Sequence, residues 1–204
     1  MHADHERQTG QRMPEEATMD MTRRYSVMQE SWDTVWERSR AGRHTIVVGA
    51  QTLPPAPPDL QVLRVRCDAL GSRGGALEAA RCAIADCLGE ELHTPDPRQS
   101  AVTPGLRQRL WGDMPAPSLD ALLVDACNRL AMQTAGRAVL AFDGIDAADE
   151  ATVDTLAQML QRPGWLRLPL LLTVHGVLQG RVVELVYLLH RDEGEAAVMV
   201  IADE

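Results

Sequence analysis

The stretch that decides the fold is Arg137-Ala-Val-Leu-Ala-Phe-Asp-Gly-Ile-Asp-Ala-Ala-Asp-Glu150. Its apolar run Ala138–Phe142 predicts a strand that is buried on both faces, as the strands of parallel sheets are. Asp143 ends this strand, a short loop follows, and Asp149 is typical of the N-cap of a helix beginning at Glu150. A strand, a loop and a helix in this order form the repeating unit of α/β proteins.

The segments on either side continue this alternation. Ser118 is a good N-cap for a helix with an apolar face that ends at Gly136, directly before the buried strand. The elements expected after the buried strand are helices at Glu150–Gln161 and Arg181–His190 and strands at Leu168–Val174 and Ala196–Ile201. Strands that alternate with helices favour a parallel sheet covered by helices.

The N-terminal half supplies two more strands and two helices. We expect a flexible arm over residues 1–24 and one domain over residues 25–204, which begins with a helix from Ser26 to about Gly42. Trp32 and Trp36 share one face of that helix. The remaining elements expected are strands at 44–50 and 61–67, a helix at 75–89, and a loop at 94–117 with a short helical turn near Leu106–Trp111.

Composition excludes several classes of function. The chain has 204 residues and a net charge of -9, and all of its 20 basic residues are Arg, so lysine chemistry is excluded and nucleic acid is not an expected partner. The N-terminus has no apolar signal region, and no stretch approaches the roughly 20 apolar residues of a membrane span. Four Cys residues without CxxC spacing indicate reduced thiols. We therefore expect a cytoplasmic protein.

The longer pattern resembles a known family. Asp143–Glu150, the helix after it and Leu168-Pro-Leu-Leu-Leu-Thr-Val-His175 are similar to the Walker B region and sensor-1 strand of the STAND/AAA-type ATPases in large LuxR-type bacterial regulators. Arg40–Gly49 looks like the family's lead-in to Walker A. The resemblance implies a three-layer P-loop NTPase-like fold, whose mainly parallel five-stranded sheet has the order 5-1-4-3-2. In that family, the aspartate that corresponds to Asp143 holds the water shell of Mg²⁺.

Two departures from the family pattern imply a degenerate domain. Counted from Gly49, the Walker A lysine would fall at Pro55, and the second acid of Walker B is replaced by Gly144. A P-loop directs backbone N–H groups and a lysine at phosphate, and proline has no N–H to donate. We therefore expect no catalytic residue, no cofactor and no metal site, with Gly49, Asp143 and Asp146 as vestigial positions.

The Pro-rich segment Gln51–Leu60 takes the place of the phosphate-binding helix. From the first strand to the second, the family's chain covers about 20–25 Å. Ten residues in polyproline II reach roughly 31 Å, which suffices without a helix. The segment is either a strap that replaces this helix or a plain surface linker.

One acidic cluster and one histidine are further candidate sites. Asp143, Asp146, Asp149 and Glu150 resemble metal ligands in type, but a helix cap and a first-turn acid explain Asp149 and Glu150 better. His175 follows a strand and could serve as a general base, yet the sequence shows no nucleophile at a recognisable turn. A satisfied or exposed histidine is the favoured interpretation.

These observations predict a catalytically inactive, NTPase-like regulatory or scaffolding module that binds other proteins. The alternatives are a nucleotide-binding or weakly active ATPase, which would contact phosphate through Arg and hold Mg²⁺ with Asp143, or a fragment of a larger regulator. A strap in place of a helix would leave one sheet face uncovered, which favours a homodimer or a protein partner. The intramolecular alternative is a cover formed by the helix that carries Trp32 and Trp36.

Overall fold

The computed structural model describes residues 32–49, 52–67, 75–90, 119–162 and 164–201. The expected arm at 1–24, the start of the first helix at Ser26, the loop at 94–117 and the N-cap Ser118 lie outside the described residues.

Five α-helices and five strands form the described part of the chain. The helices are α1 Trp32–Arg40, α2 Gly75–Leu88, α3 Leu119–Gln133, α4 Glu150–Leu160 and α5 Arg181–Glu193. The strands are β1 Thr45–Val48, β2 Gln61–Arg66, β3 Ala138–Asp143, β4 Leu170–Val174 and β5 Val198–Val200. Each matches an expected element, but β4 and β5 begin two residues later than expected. β4 begins after Pro169, which has no N–H for the ladder, and a 3₁₀ turn at Glu195–Ala197 takes up the start of the last strand.

The five strands form one sheet in the order β2-β3-β4-β1-β5, and every pair in it is parallel. This is the order 5-1-4-3-2 read from the other edge, so the expected strand order is confirmed. Within the sheet, Leu140 of β3 lies between Leu63 of β2 and Leu170 of β4. The expected buried strand is also confirmed, because Ala138–Phe142 have no exposed surface.

The two faces of the sheet are covered by different elements. Side chains of α2, α3, α4 and α5 form one core cluster with residues of the strands, among them Leu140 and Phe142. On the opposite face, α1 and the segment 52–60 supply the cover. Helices therefore lie on both faces, as in a three-layer α/β arrangement.

The segment 52–60, which we call the strap, contains neither helix nor strand. It connects β1 to β2 across the intervening β4 and β3, and its Leu53 and Leu60 are buried. Arg64 of β2 fixes one end, because its Nη2 donates to the carbonyl oxygens of Leu53 and Pro54 at 2.8 Å each. The expected crossing without a helix is thus present over residues 52–60.

The sequence left two covers open for this sheet face, a partner chain and the helix that carries the two tryptophans, and the described residues show the helix. Trp36 of α1 is only 4% exposed and belongs to one cluster with Val47, Leu171 and Met199 on that face. Trp32 stacks on Trp36, with ring centroids 6.0 Å apart. The helix that carries the two tryptophans therefore covers the face within the chain.

Candidate functional site at the carboxyl edge of the sheet

Two polar residues meet where neighbouring strands end. Asp143 is the last residue of β3, and His175 directly follows β4, which is the next strand in the sheet. Both residues lie at the carboxyl edge. In open α/β sheets, ligands bind outside this edge. The end of β3 and β4 is therefore the first place to look for a functional site.

Asp143 is bonded within the protein through one carboxylate oxygen. Thr173 Oγ1 donates to Asp143 Oδ1 at 2.8 Å, and His175 Nε2 lies 2.9 Å from the same oxygen. Asp143 is only 9% exposed, so these two groups replace much of the water that a free carboxylate would bind. The cluster Asp143, Thr173 and His175 is called the carboxyl-edge cluster below.

The bonding pattern fixes the imidazole tautomer of His175. An ionised carboxylate only accepts hydrogen bonds, so Nε2 carries the hydrogen and, in the neutral ring, Nδ1 carries the lone pair. No described residue forms a hydrogen bond with Nδ1, and the side chain is 35% exposed. An imidazole held in this way by a carboxylate has the geometry of a general base. The described residues place no serine or cysteine side chain within hydrogen-bond reach of it.

Gly144 leaves the room that the imidazole occupies. Its backbone is left-handed, at φ 73° and ψ 52°, and its N–H donates to Thr173 Oγ1 at 3.0 Å. A Cβ atom at this position would come within 3.2 Å of both Nδ1 and Cε1 of His175. A side chain at 144 would therefore press on the ring that bonds to Asp143.

Asp146 holds the backbone at the end of β4. Its Oδ1 accepts from the N–H of His175 at 3.0 Å, and its Oδ2 accepts from the N–H of Gly176 at 2.9 Å. These two bonds join the loop after β3 to the loop after β4. They fix the direction in which His175 leaves the strand.

The other residues singled out from the sequence have separate structural roles. Gly49 directly follows β1, and a Cβ there would come 2.8 Å from the carbonyl oxygen of Ile201, so a close approach of the backbone requires glycine. Asp149 caps α4, accepting from the N–H of Thr152 at 3.0 Å, as expected, and Glu150 lies exposed in its first turn. Within the described ranges, no three His, Cys, Asp or Glu side chains are grouped to hold a metal ion.

Sequence reasoning missed the partner of His175. Of the three positions expected to be vestigial, Asp143 and Asp146 are hydrogen-bonded to His175, and Gly49 lies two strands away from Asp143. The strand ends carried a usable signal, because consecutive buried strands ending in Asp and His place those side chains at one sheet edge. Thr173 could have been added, since residues i and i+2 of a strand share a face.

A cavity of about 370 Å³ lies at the opposite, amino edge of the sheet, lined by the turn after α1 and the ends of α4 and α5. His44 in its wall uses Nδ1 to accept the N–H of Leu170 at 3.0 Å, and burial lowers the pKa of this imidazole. Arg43 and Glu193 pair across the rim at 3.3 Å. His44, Arg43 and Glu193 thus have hydrogen-bond or ion-pair partners within the protein, and we interpret this cavity wall as structural.

Comparison with known proteins adds no family to this description. A scan against models of protein families finds none that matches the chain, and a search of curated proteins finds no significant match. None of the described helices has the length and apolar character needed to cross a membrane. Fold and site therefore define the class: an α/β protein with an all-parallel five-stranded sheet and a hydrogen-bonded Asp–His pair at its carboxyl edge.

Proposed function

We propose that this chain is a catalytically inactive, NTPase-like module of the cytoplasm that acts in regulation or scaffolding by binding another protein. The observation that carries the proposal is the bonding of Asp143. At the position where the family resemblance places the Mg²⁺-holding aspartate, Oδ1 already accepts from Thr173 and His175. Thr173 and His175 therefore compete with the hydration shell of a metal ion for this oxygen of the carboxylate.

The strap gives independent support. A P-loop needs a series of backbone N–H groups and a lysine ammonium around the phosphates. Residues 54, 55, 57 and 58 are proline and donate no N–H, and the chain contains no lysine. The groups present do not fit a nucleotide phosphate cradle, so we derive no catalytic step through one.

Gly144 supports the proposal from a third direction. The resemblance places a water-activating acid at this position, and glycine provides no carboxylate. The space that such a side chain would need lies against His175. An acid at this position would press on the imidazole that bonds to Asp143.

Calorimetric titration with ATP and GTP, with and without Mg²⁺, tests the proposal, together with phosphate release measured over a protein-free blank. We expect no binding heat and no release above the blank. Asp143→Asn should leave both results unchanged. Mg²⁺-dependent phosphate release that Asp143→Asn abolishes would instead establish the alternative of a weakly active ATPase.

A homodimer is one form that the protein contact could take. The reason for expecting it was an uncovered sheet face, and α1 and the strap cover that face. The case for a partner therefore rests on exposed elements such as the strap. Light scattering on the full chain at micromolar concentration distinguishes a dimer from a monomer by mass.

A further inference from the structure

The strap presents an exposed proline ridge between two buried leucines, Leu53 and Leu60. Pro54 and Pro57, three positions apart, are half-buried, whereas Pro55, Ala56, Pro58 and Asp59 are exposed. A spacing of three between the inward residues before the turn fits the period of a polyproline II helix laid along a surface.

The sequence dictates this conformation. Proline fixes φ near −65° and forces the residue before it into an extended conformation. Within the strap, Leu53, Pro54, Ala56 and Pro57 each precede a proline, so nearly every residue is restricted to the polyproline II region. A turn at Pro57–Leu60, closed by the Leu60 N–H and the Pro57 carbonyl oxygen at 3.1 Å, ends the stretch.

Both ends of the ridge are anchored. Arg64 bonds to the carbonyl oxygens of Leu53 and Pro54 at the first end. At the second end, Arg40 Nε and Nη2 donate to the two carboxylate oxygens of Asp59 at 2.8 and 2.9 Å, and this pairing lowers the pKa of Asp59 to about 2. A segment held in its extended form before binding loses less conformational entropy when a partner takes it up.

The middle of the ridge keeps its acceptors available. The carbonyl oxygens of Pro55 and Ala56 accept no hydrogen bond from any described residue. Domains that recognise polyproline II place exposed prolines in a groove lined by aromatic side chains. Tryptophan and tyrosine of such a groove also carry N–H and O–H donors for free carbonyl oxygens.

We propose that Pro55, Ala56 and Pro58 form a docking surface for a partner domain with an aromatic-lined groove that binds polyproline II segments. This inference rests on the proposed function, because it names the surface through which the inactive module binds its partner. Pro55, Ala56 and Pro58 carry no charge, and the carboxylate of Asp59 beside them is paired with Arg40. Recognition therefore depends on shape, proline–aromatic contact and the two free carbonyl oxygens.

The test titrates the ¹⁵N-labelled full chain with isolated SH3, WW and EVH1 domains and follows the amide signals by NMR. We expect at least one domain to shift the amides of Ala56 and Asp59 and to leave distant amides unchanged. Replacing the outward pair, Pro55→Ala with Pro58→Ala, should weaken that binding by about tenfold or more, equivalent to at least about 1.4 kcal/mol.

The matched control replaces the inward pair, Pro54→Ala with Pro57→Ala. It also removes two prolines, and it frees the two residues before them from the extended conformation that proline imposes. Because it leaves the exposed ridge in place, binding should weaken by less than about threefold. Far-UV circular dichroism on both variants checks that the fold is retained. If the outward pair fails to fold, Pro55→Ala alone is compared with Pro54→Ala.

Three results would overturn the inference: no domain of the panel shifts any amide, the shifts lie away from the strap, or both proline pairs weaken binding equally. Titrating the same labelled sample with Mg²⁺-ATP separates failure of this inference from failure of the proposed function. Nucleotide binding would contradict the inactive module whatever the ridge does. Failure of the ridge without nucleotide binding would remove the docking surface alone.

Discussion

Replacing Gly144 by alanine tests whether the carboxyl-edge cluster needs the space that glycine leaves beside His175. The substitution adds one methyl group at a backbone position with φ 73°. That methyl carbon would lie 3.2 Å from Nδ1 and Cε1 of His175, closer than an ordinary van der Waals contact. The imidazole must shift by a few tenths of an ångström, which strains its bond to Asp143.

Two contributions set the expected loss of stability. A non-glycine residue in the left-handed region costs about 1–2 kcal/mol. Loss of a hydrogen bond to a charged group adds about 1.5–3 kcal/mol, reduced here because His175 is partly exposed and water can replace it. We expect Gly144→Ala to lower the free energy of unfolding by about 2–4 kcal/mol.

Urea denaturation followed by circular dichroism measures this change, and Gly42→Ala is the matched control. Gly42 has the same φ of 73°, and a Cβ there would meet no atom within 4 Å. The control therefore reports the backbone contribution alone, about 1–2 kcal/mol. In a His175→Ala background, the loss in free energy of unfolding caused by Gly144→Ala should fall to that of the control, because the ring that the methyl group presses on is gone.

The reasoning is refuted if Gly144→Ala and Gly42→Ala lower the free energy of unfolding by the same amount. It is also refuted if the excess cost of Gly144→Ala persists in the His175→Ala background. In either case the imidazole and residue 144 do not compete for space.

Two further predictions concern the amino edge and the second sheet face. Because burial lowers the pKa of His44, the unfolded state binds more protons below about pH 6.5, so the free energy of unfolding should fall as the pH drops below that value. His44→Gln should flatten this slope in urea midpoints measured across the range, and an unchanged slope would exclude His44 as its source. Trp36→Ala should lower the free energy of unfolding by about 3–5 kcal/mol, and Trp32→Ala by less, because Trp36 is buried and Trp32 is half-exposed. Equal urea midpoints for the two tryptophan variants would contradict the cover that α1 provides.

Much of the fold could be predicted because its signals are local. The apolar run Ala138–Phe142 is short, uninterrupted and bounded by polar residues, so burial on both faces was the natural expectation. Asp149 could be recognised as a cap because its partner, the N–H of Thr152, is three residues away. The strap was one of two interpretations of the Pro-rich segment, based on proline chemistry, chain length and the strand order that the resemblance implied.

The cover of the second sheet face was harder to predict, because it depends on where a helix docks. Spacing placed Trp32 and Trp36 on one face of α1, but periodicity alone does not say which surface that face meets. The alternatives were a cover within the chain and a second copy of the chain. The packing of Trp36 with Leu171 and Met199 favours the first.

The carboxyl-edge cluster was harder still to predict from the sequence, because its hydrogen bonds join residues about 30 positions apart. From the sequence, Gly144 stood where the resembled family has an acid and His175 was a satisfied or exposed histidine, and nothing connected the two. Their geometry links them, since the absent Cβ of Gly144 is what allows the imidazole to lie against Asp143. A residue with a side chain at position 144 would therefore press on the imidazole that bonds to Asp143.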